Sequence, residues 1–174
     1  MITIAIAEDH QCLVDGIKLL LQYEEGITIV GMANDGEKLL EIVRRKQPKI
    51  VLTDIKMPKI DGIAATKIIK KELPKTKVIA FTMFGQEEAV AQMVAAGASG
   101  YLLKNSPLED VLQAIREVAA GNTFFDSAIN PSYLSGGQSK SPRKTLLSRS
   151  ETEILALIGQ GKSSSEIAAV RFTS

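Results

Sequence analysis

Residues 51–69 read VLTDIKMPKIDGIAATKII, and the pattern of the chain changes twice within this stretch. An apolar run over residues 49–53 predicts a strand that ends at Asp54. After a short loop, a helical pattern covers residues 61–72 and ends before Pro74. A continuous apolar strand followed by a helix is typical of a parallel sheet whose two faces are both covered by helices.

The same order of apolar strand and helix is repeated on both sides of this stretch. The other predicted strands cover residues 2–7, 27–33, 77–81 and 99–103. The other predicted helices cover residues 10–23, 35–46, 86–96 and 107–120. Five strands in strict alternation with five helices predict an α/β fold with a parallel five-stranded sheet. We expect this domain to cover residues 1–121.

The composition is typical of an ordinary globular protein. Hydrophobic residues make up 45% of the 174 residues, charged residues make up 24%, and the formal net charge is +1. This balance gives no general attraction to nucleic acid or to a membrane. Cys12 is the only cysteine, so an internal disulfide is excluded and a cytoplasmic location is expected. The apolar start of the chain meets Glu8 and Asp9 too early for a signal peptide or a membrane span.

The pattern changes after residue 121. Residues 122–144 contain SGGQSKSP and few apolar residues, which predicts a flexible linker. Residues 145–174 carry the pattern S-x-x-E twice, beginning at Ser148 and at Ser163, each time before a short apolar run. This is the capping-box pattern of helix N-termini, so two short helices are predicted there.

Polar side chains follow four of the five predicted strands. Glu8 and Asp9 follow the first strand, Asp54 the third, Thr82 the fourth and Lys104 the fifth. In a parallel sheet the carboxyl ends of the strands lie at one edge, and ligands bind there. We therefore expect three carboxylates, a hydroxyl and an amine to meet at this edge.

Three neighbouring carboxylates repel one another. At ~5 Å and an effective dielectric constant of ~20, each pair costs about 3 kcal/mol, so the cluster needs a counter-ion or raised pKa values. Mg²⁺ suits this role because it takes oxygen ligands and keeps waters that phosphate oxygens can replace. A carboxylate in such a site can attack a phosphoryl group and form an aspartyl phosphate. The metal, the amine and the hydroxyl would neutralise the oxygens of the transferred group.

Single residues of this region have simpler interpretations. Asp9 alone would more readily be a helix N-cap than a metal ligand. His10, the only histidine, is better explained as a solvated residue at a helix start than by metal or base chemistry. Tyr101, from its residue type alone, is better explained as a core aromatic whose hydroxyl lies at the surface. The coincidence of polar residues at four strand ends is what favours a functional site.

The chain resembles bacterial two-component response regulators of the NarL/FixJ type, in which a receiver domain precedes a LuxR-type helix-turn-helix. The matching stretches are AEDHQCLVDGIKLLL, VLTDIKMPKIDGIAATKII, VIAFTMF and GASGYLLKNSPLEDVLQAI. They are spread over residues 7–115, and the run D-I-x-M-P-x-x-D-G is highly specific. The resemblance implies a flavodoxin-like (βα)5 receiver with the strand order 2-1-3-4-5.

The resemblance also implies a role for each residue of the acidic edge. Asp54 would be the phosphate acceptor. Glu8, Asp9, Asp54 and the backbone carbonyl of Lys56 would hold Mg²⁺, with Glu8 acting through a water molecule. Lys104 would pair with the phosphoryl group. A cognate histidine kinase would be the phosphoryl donor, and the chain would catalyse only its own phosphorylation and dephosphorylation.

Two further residues would report the phosphorylation to the surface. By the same resemblance, Thr82 is the switch hydroxyl, which is drawn toward the phosphoryl oxygens. Tyr101 is the switch aromatic, which moves inward behind Thr82. The resulting change at the fourth helix and fifth strand would alter dimerisation or release the C-terminal module. A phosphorylation-dependent homodimer is expected.

Residues 145–174 resemble the first part of a LuxR-type helix-turn-helix. In that family the recognition helix would begin at Ser174, so we expect this chain to be truncated before that helix and its DNA-contacting residues to be unknown. The full-length form would bind promoter DNA and regulate transcription. The alternative for this segment is an amphipathic helical pair that serves another interface.

Two other functions compete with a phosphorylation switch that controls transcription. The chain could be an interaction module, a receiver whose output is protein binding without DNA contact. It could also be a magnesium-dependent phosphatase that uses Asp54 as its nucleophile, although no cap domain or second acid near Asp54 supports this.

Overall fold

The structure, a computed structural model, describes residues 1–134. The strands are β1 (Ile2–Ala7), β2 (Ile27–Ala33), β3 (Ile50–Thr53), β4 (Lys77–Thr82), β5 (Gly100–Leu103) and β6 (Phe124–Phe125). The helices are α1 (Gln11–Leu21), α2 (Gly36–Lys46), α3 (Gly62–Glu72), α4 (Glu87–Ala95) and α5 (Leu108–Ala120), followed by a 3-10 helix at Pro131–Leu134. Every predicted strand and helix of residues 1–121 is present, with bounds within two residues of those predicted.

All strands lie parallel in a single sheet, in the order β2-β1-β3-β4-β5-β6. The first five strands confirm the predicted α/β fold and the order 2-1-3-4-5. β1 lies between β2 and β3, so the chain goes to opposite sides of β1 in successive crossovers. This is the topological switch point, and open α/β sheets generally bind ligands there, beyond the carboxyl ends of the strands.

Both faces of the sheet are buried, which explains why the strands are continuously apolar. In β1, Ile4 and Ile6 pack with α1 and α5, whereas Ala5 and Ala7 pack with α2, α3 and α4. The same alternation of faces continues through β3, β4 and β5. Successive strand residues point to opposite faces, so a strand covered on both sides has no position for a polar side chain until it ends.

The predicted linker starts too early. Its first part, residues 122–134, includes β6 and the 3-10 helix. Phe124 and Phe125 pair in parallel with Gly100 and Tyr101 of β5, and Ile129 is buried in the core. The Ser- and Gly-rich composition of the later residues concealed this short apolar stretch. Residues 135–144, the rest of the predicted linker, and the predicted helical pair at 145–174 lie outside the described residues.

The described helices give no indication of a membrane span, since no helix within residues 1–134 has the length and apolar character that crossing would require.

The loop between β3 and α3 is packed closely against the backbone around it. A Cβ atom at Gly62 would lie 2.0 Å from the backbone oxygen of Asp54, and one at Gly36 would lie 2.1 Å from the backbone oxygen of Ile60. Gly62 N also donates a hydrogen bond of 2.8 Å to Ile55 O. Only glycine permits these approaches, so the two positions fix the path of the chain after Asp54.

We expect Gly62→Ala to lower the free energy of unfolding by about 1–3 kcal/mol, because the new methyl group must displace backbone rather than a flexible side chain. Gly16→Ala is the matched control. Gly16 lies inside α1 with no atom within 4 Å of the added Cβ, so this change should raise stability by about 0.5–1 kcal/mol. Urea unfolding of both variants measures the two changes. Equal effects of the two substitutions would contradict the close packing at Gly62.

Candidate functional site

The polar residues predicted at the strand ends meet at one edge of the sheet. Ligand atoms of Glu8, Asp9, His10 and Asp54 all lie within 4.8 Å of one another. The backbone explains this proximity, since Ala7 pairs with Thr53 and Asp54 N donates to Ala7 O at 2.9 Å. The ends of β1 and β3 are therefore level, and the residues that follow them are neighbours.

Lys104 reaches this cluster from the end of β5. Its Nζ lies 2.5 Å from Asp54 Oδ2 and 2.7 Å from Glu8 Oε2. The Lys104 side chain is 7% exposed, and those of Asp54 and Glu8 are 6% and 2% exposed. The contact with Glu8 has an ion-pair distance, but Glu8 Oε2 makes no hydrogen bond of ordinary angle with any described residue. Two buried carboxylates thus share one ammonium group, and one of them keeps unused acceptor capacity.

The charges of this cluster hold Lys104 in its protonated form. Burial alone would lower the pKa of Lys104, but the hydrogen bonds and charges of Asp54 and Glu8 outweigh burial, and the net pKa lies above its ordinary value. Three carboxylates with one ammonium leave negative charge at this edge. The set of oxygen ligands and its charge suit a hard divalent cation.

Asp54 is held in a fixed orientation. Its Oδ1 accepts a hydrogen bond of 2.6 Å from Ile55 N, and its Oδ2 accepts one of 2.5 Å from Lys104 Nζ. Asp54 as a whole is 5% exposed and lies directly after β3. A carboxylate with both oxygens restrained in this way keeps its orientation without a bound ligand.

His10 contacts the acidic pair more closely than its interpretation as a solvated residue suggests. Its side chain is 72% exposed, yet Nδ1 lies 2.8 Å from Glu8 Oε1 and 2.9 Å from Asp9 Oδ1. The hydrogen bond with Glu8 and the charge of Asp9 raise the pKa of His10 above its ordinary value, although Lys104 opposes them. His10 precedes α1 without a side-chain cap, so its ring is free to turn back over Glu8 and Asp9.

Thr82 lies beside this site at the end of β4. It is fully buried, and its Oγ1 finds no hydrogen-bond partner among residues 1–134. Its backbone oxygen accepts a hydrogen bond of 2.9 Å from Lys104 N, which keeps the two predicted residues next to each other. A buried hydroxyl without a partner costs free energy. A new acceptor placed next to Thr82 Oγ1 would therefore be stabilised by the hydrogen bond that this hydroxyl can donate.

Tyr101 differs from the interpretation based on its residue type. It is a core aromatic, but it has no exposed surface, and its hydroxyl donates a hydrogen bond to Phe84 O in the loop after β4. Burial and the nearby charge of Asp54 raise the pKa of Tyr101, so its hydroxyl remains protonated. The tyrosine is therefore already inside the domain and bonded to the loop that follows Thr82.

Lys56 lies in the loop between β3 and α3, two residues after Asp54. Its Nζ is 4.6 Å from the centre of the Phe84 ring, which is a cation–π distance. Sequence reasoning did not single out Phe84, which contacts both Lys56 and Tyr101. Neither periodicity nor spacing indicates it, because the two contacts join Phe84 to a different loop and to β5, which are distant from it in sequence.

Comparison with known proteins identifies the family. The family model of the response regulator receiver domain matches residues 4–116, which contain the whole acidic cluster and Lys104. The chain belongs to this family. The resemblance that the motifs carry is confirmed, and the described domain is a receiver domain.

Curated relatives of this response regulator match nearly its whole length. It is 35% identical to the oxygen regulatory protein NreC of Staphylococcus epidermidis and 36% identical to NreC of Staphylococcus aureus. Each match covers 98% of this chain and 83% of the relative.

Solved structures of response regulators share its fold. A LuxR family response regulator from Aurantimonas sp. SI85-9A1 aligns with a TM-score of 0.72 at 28% identity, over 77% of this chain and 95% of that one. RcsB of Salmonella enterica bound to promoter P1flhDC, in the presence of the phosphomimetic BeF3⁻, aligns with a TM-score of 0.71 at 26% identity, over 97% of this chain and 82% of that one.

The unpaired hydroxyl of Thr82 leads to a stability prediction. We expect Thr82→Val to leave the free energy of unfolding unchanged or to raise it by up to about 1 kcal/mol, because no hydrogen bond is lost and an unsatisfied polar group is removed. Thr66→Val is the matched control. Thr66 is equally buried, but its Oγ1 donates to Gly62 O at 2.6 Å, so its loss should cost about 1 kcal/mol. Thermal or urea unfolding measures both variants, and a clear loss of stability in Thr82→Val would show that its hydroxyl is bonded.

Proposed function

We propose that this response regulator accepts a phosphoryl group on Asp54 and that the phosphorylated form controls transcription. The observation that carries the proposal is the contact between Lys104 Nζ and Asp54 Oδ2, at 2.5 Å, inside a cluster of carboxylates. In this contact the carboxylate that we propose as the nucleophile is restrained beside a buried ammonium group, at the topological switch point of the sheet. The cognate histidine kinase of a two-component system is the proposed donor.

In the proposed reaction an oxygen of Asp54 forms a bond to phosphorus. The bond from phosphorus to the donor breaks, to nitrogen in a phosphohistidine or to oxygen in an acyl phosphate, and the donor leaves with that electron pair. Lys104 then pairs with an oxygen of the bound phosphoryl group instead of with the free carboxylate. Because the ammonium is already in contact with Asp54, no long movement of Lys104 is needed. The protein catalyses only this transfer and the later hydrolysis of its own aspartyl phosphate.

The donor atoms of the site fit Mg²⁺, which we propose as the cofactor. Glu8, Asp9, Asp54 and the backbone carbonyl of Lys56 would hold it, with Glu8 acting through water. When bound, Mg²⁺ neutralises negative charge on the carboxylates and on the phosphoryl oxygens. Glu8 and Asp9 would hold the ion close to Asp54, because both residues come directly after β1 and lie beside Asp54.

Thr82 and Tyr101 are the proposed switch residues. The unpaired hydroxyl of Thr82 would donate to a phosphoryl oxygen, which removes the cost of its burial. Tyr101 is already fully buried, so the expected inward movement of its ring is not available from this arrangement. We infer that the phosphorylated form instead fixes the loop after β4, whose Phe84 oxygen accepts from Tyr101.

The proposed output is DNA binding by a homodimer of the full-length protein. Two RcsB dimers have been solved bound to two parallel DNAs, and RcsB aligns with 97% of this chain at 26% identity. Residues 145–174, which resemble part of a helix-turn-helix, lie outside the described residues. The proposal for DNA therefore depends on the relatives, whereas the proposal for Asp54 depends on the geometry of the receiver domain.

Incubation of the protein with acetyl phosphate and Mg²⁺ should add one phosphoryl mass in intact-protein mass spectrometry. Hydroxylamine should remove it, because acyl phosphates are attacked by that nucleophile. Asp54→Asn should show no adduct, since an amide oxygen is a poor nucleophile. Asp61→Asn is a matched control, because Asp61 follows the same strand but only caps α3, through a 2.7 Å bond from Ala64 N. An adduct that persists in Asp54→Asn would refute Asp54 as the acceptor.

Phosphorylation should also increase self-association of the protein. Sedimentation velocity with acetyl phosphate and Mg²⁺ should show a larger dimer fraction for the wild type and no change for Asp54→Asn. A fully monomeric protein whose phosphorylation has been verified would contradict the proposed homodimer while leaving the phosphoryl transfer intact.

A further inference from the structure

Asp126 is a buried carboxylate outside the acidic cluster. It follows β6, beyond the end that the sequence predicts for the domain, and it is 6% exposed. No described lysine or arginine forms an ion pair with it within residues 1–134. A buried charge without a cation must be stabilised by hydrogen bonds, and these show what Asp126 holds.

Asp126 binds the turn that carries Lys104. Its Oδ2 accepts hydrogen bonds from Leu103 N, at 3.3 Å, and from the hydroxyl of Ser106. Its Oδ1 accepts one of 2.9 Å from Ala128 N within its own segment. Leu103 and Ser106 lie on either side of Lys104 in the sequence, so the carboxylate is hydrogen-bonded to both ends of the turn.

The hydrogen bonds keep Asp126 ionised. Burial alone would raise the pKa of Asp126, but the bonds from Ser106, Ala128 and Leu103 outweigh burial and lower the pKa. The carboxylate is therefore charged at neutral pH. Hydrogen bonds to a charged acceptor are stronger than those between neutral groups, so the turn is held firmly.

The segment around Asp126 is itself anchored to β5. Asp126 N donates to Tyr101 O at 2.8 Å, and Phe124 N donates to Ser99 O at 3.1 Å. Ile129 is buried in the same core cluster as Tyr101. Asp126 thus joins a fixed segment to the turn, and the turn carries a long side chain that must reach Asp54 across the end of the sheet.

We propose that Asp126 is a positioning residue for Lys104: by holding Leu103 and Ser106, it sets how the ammonium group meets Asp54. This inference rests on the proposed phosphorylation of Asp54 and extends it to a residue of the segment after α5. Asp126 touches neither the acceptor nor the acidic pair. Its effect should therefore fall on the rate of phosphoryl transfer and not on the binding of Mg²⁺.

The test compares the rate of phosphorylation by acetyl phosphate in the wild type, Asp126→Asn and Ser106→Ala. An amide has only one accepting oxygen and carries no negative charge, so in Asp126→Asn the hydrogen bonds from Leu103 N and Ser106 are either lost or weakened to bonds between neutral groups. We expect phosphorylation about tenfold slower in Asp126→Asn, the scale of a lost hydrogen bond to a charged group, and a smaller loss in Ser106→Ala. The Mg²⁺ concentration that gives half-maximal rate should be unchanged in both variants. Ser106→Thr, which keeps the hydroxyl, should phosphorylate at the wild-type rate.

Two controls separate positioning from general loosening. Ile129→Ala removes packing from the same segment but removes none of the hydrogen bonds from Asp126 to the turn, so it should lower the melting temperature but leave the phosphorylation rate near that of the wild type. Glu109→Gln removes an exposed carboxylate near the start of α5 and should change neither. A rate loss in Ile129→Ala equal to that in Asp126→Asn would overturn the inference, as would wild-type rates in both Asp126→Asn and Ser106→Ala. Absence of an adduct in the wild type would instead refute the proposed function.

Discussion

The ammonium group of Lys104 lies between two buried carboxylates, those of Asp54 and Glu8, and this ion pair is the interaction on which the site depends. At ~4–5 Å and an effective dielectric constant of ~20, the repulsion between two such carboxylates costs about 3–4 kcal/mol. A shared cation offsets it only if three strand ends are level, because the three residues follow β1, β3 and β5. The register of the sheet is therefore a condition for the chemistry. The ion pair in turn links the end of β5 to the ends of β1 and β3, although β4 lies between β3 and β5.

Most buried polar residues within residues 1–134 lie at or just after the carboxyl ends of the strands. Within the strands both faces are covered, so Ile4, Val51 and Ile79 have no access to water. At the carboxyl ends the sheet opens, and buried polar groups collect there in place of apolar ones. Gly62 brings the start of α3 against the backbone of Asp54, so the loop packs closely beside the proposed acceptor. The same close packing that gives the domain its stability thus restrains the residue that is proposed to react.

The sequence predicted the parts of the fold that depend on local pattern. Continuous apolar runs predicted the first five strands, and the ends of those strands predicted Glu8, Asp9, Asp54, Thr82 and Lys104, because parallel strands bring their ends together. It could not predict features that depend on contacts between distant segments. β6 has only two residues and gains its strand conformation from β5, and Asp126 is defined by its partners at 103 and 106. The inward position of Tyr101 likewise follows from a bond to Phe84, for which residue type gives no signal.

A switch needs two states of similar free energy, and the described site has the means to provide them. In the structure, Lys104 is paired with carboxylates, but the Thr82 hydroxyl has no hydrogen-bond partner among residues 1–134. A phosphoryl group on Asp54 would keep an anionic partner for Lys104 and would add an acceptor for Thr82. The exchange then loses no ion pair and gains a hydrogen bond, worth about 1.5–3 kcal/mol to a charged acceptor. A change from mostly inactive to mostly active needs about 5.5 kcal/mol, so further contacts of the phosphoryl group must supply the remainder. The ammonium group of Lys104 and the backbone groups around Asp54 are the nearest source of those contacts, so the orientation of Lys104 and the loop after β3 matter as much as the proposed acceptor itself.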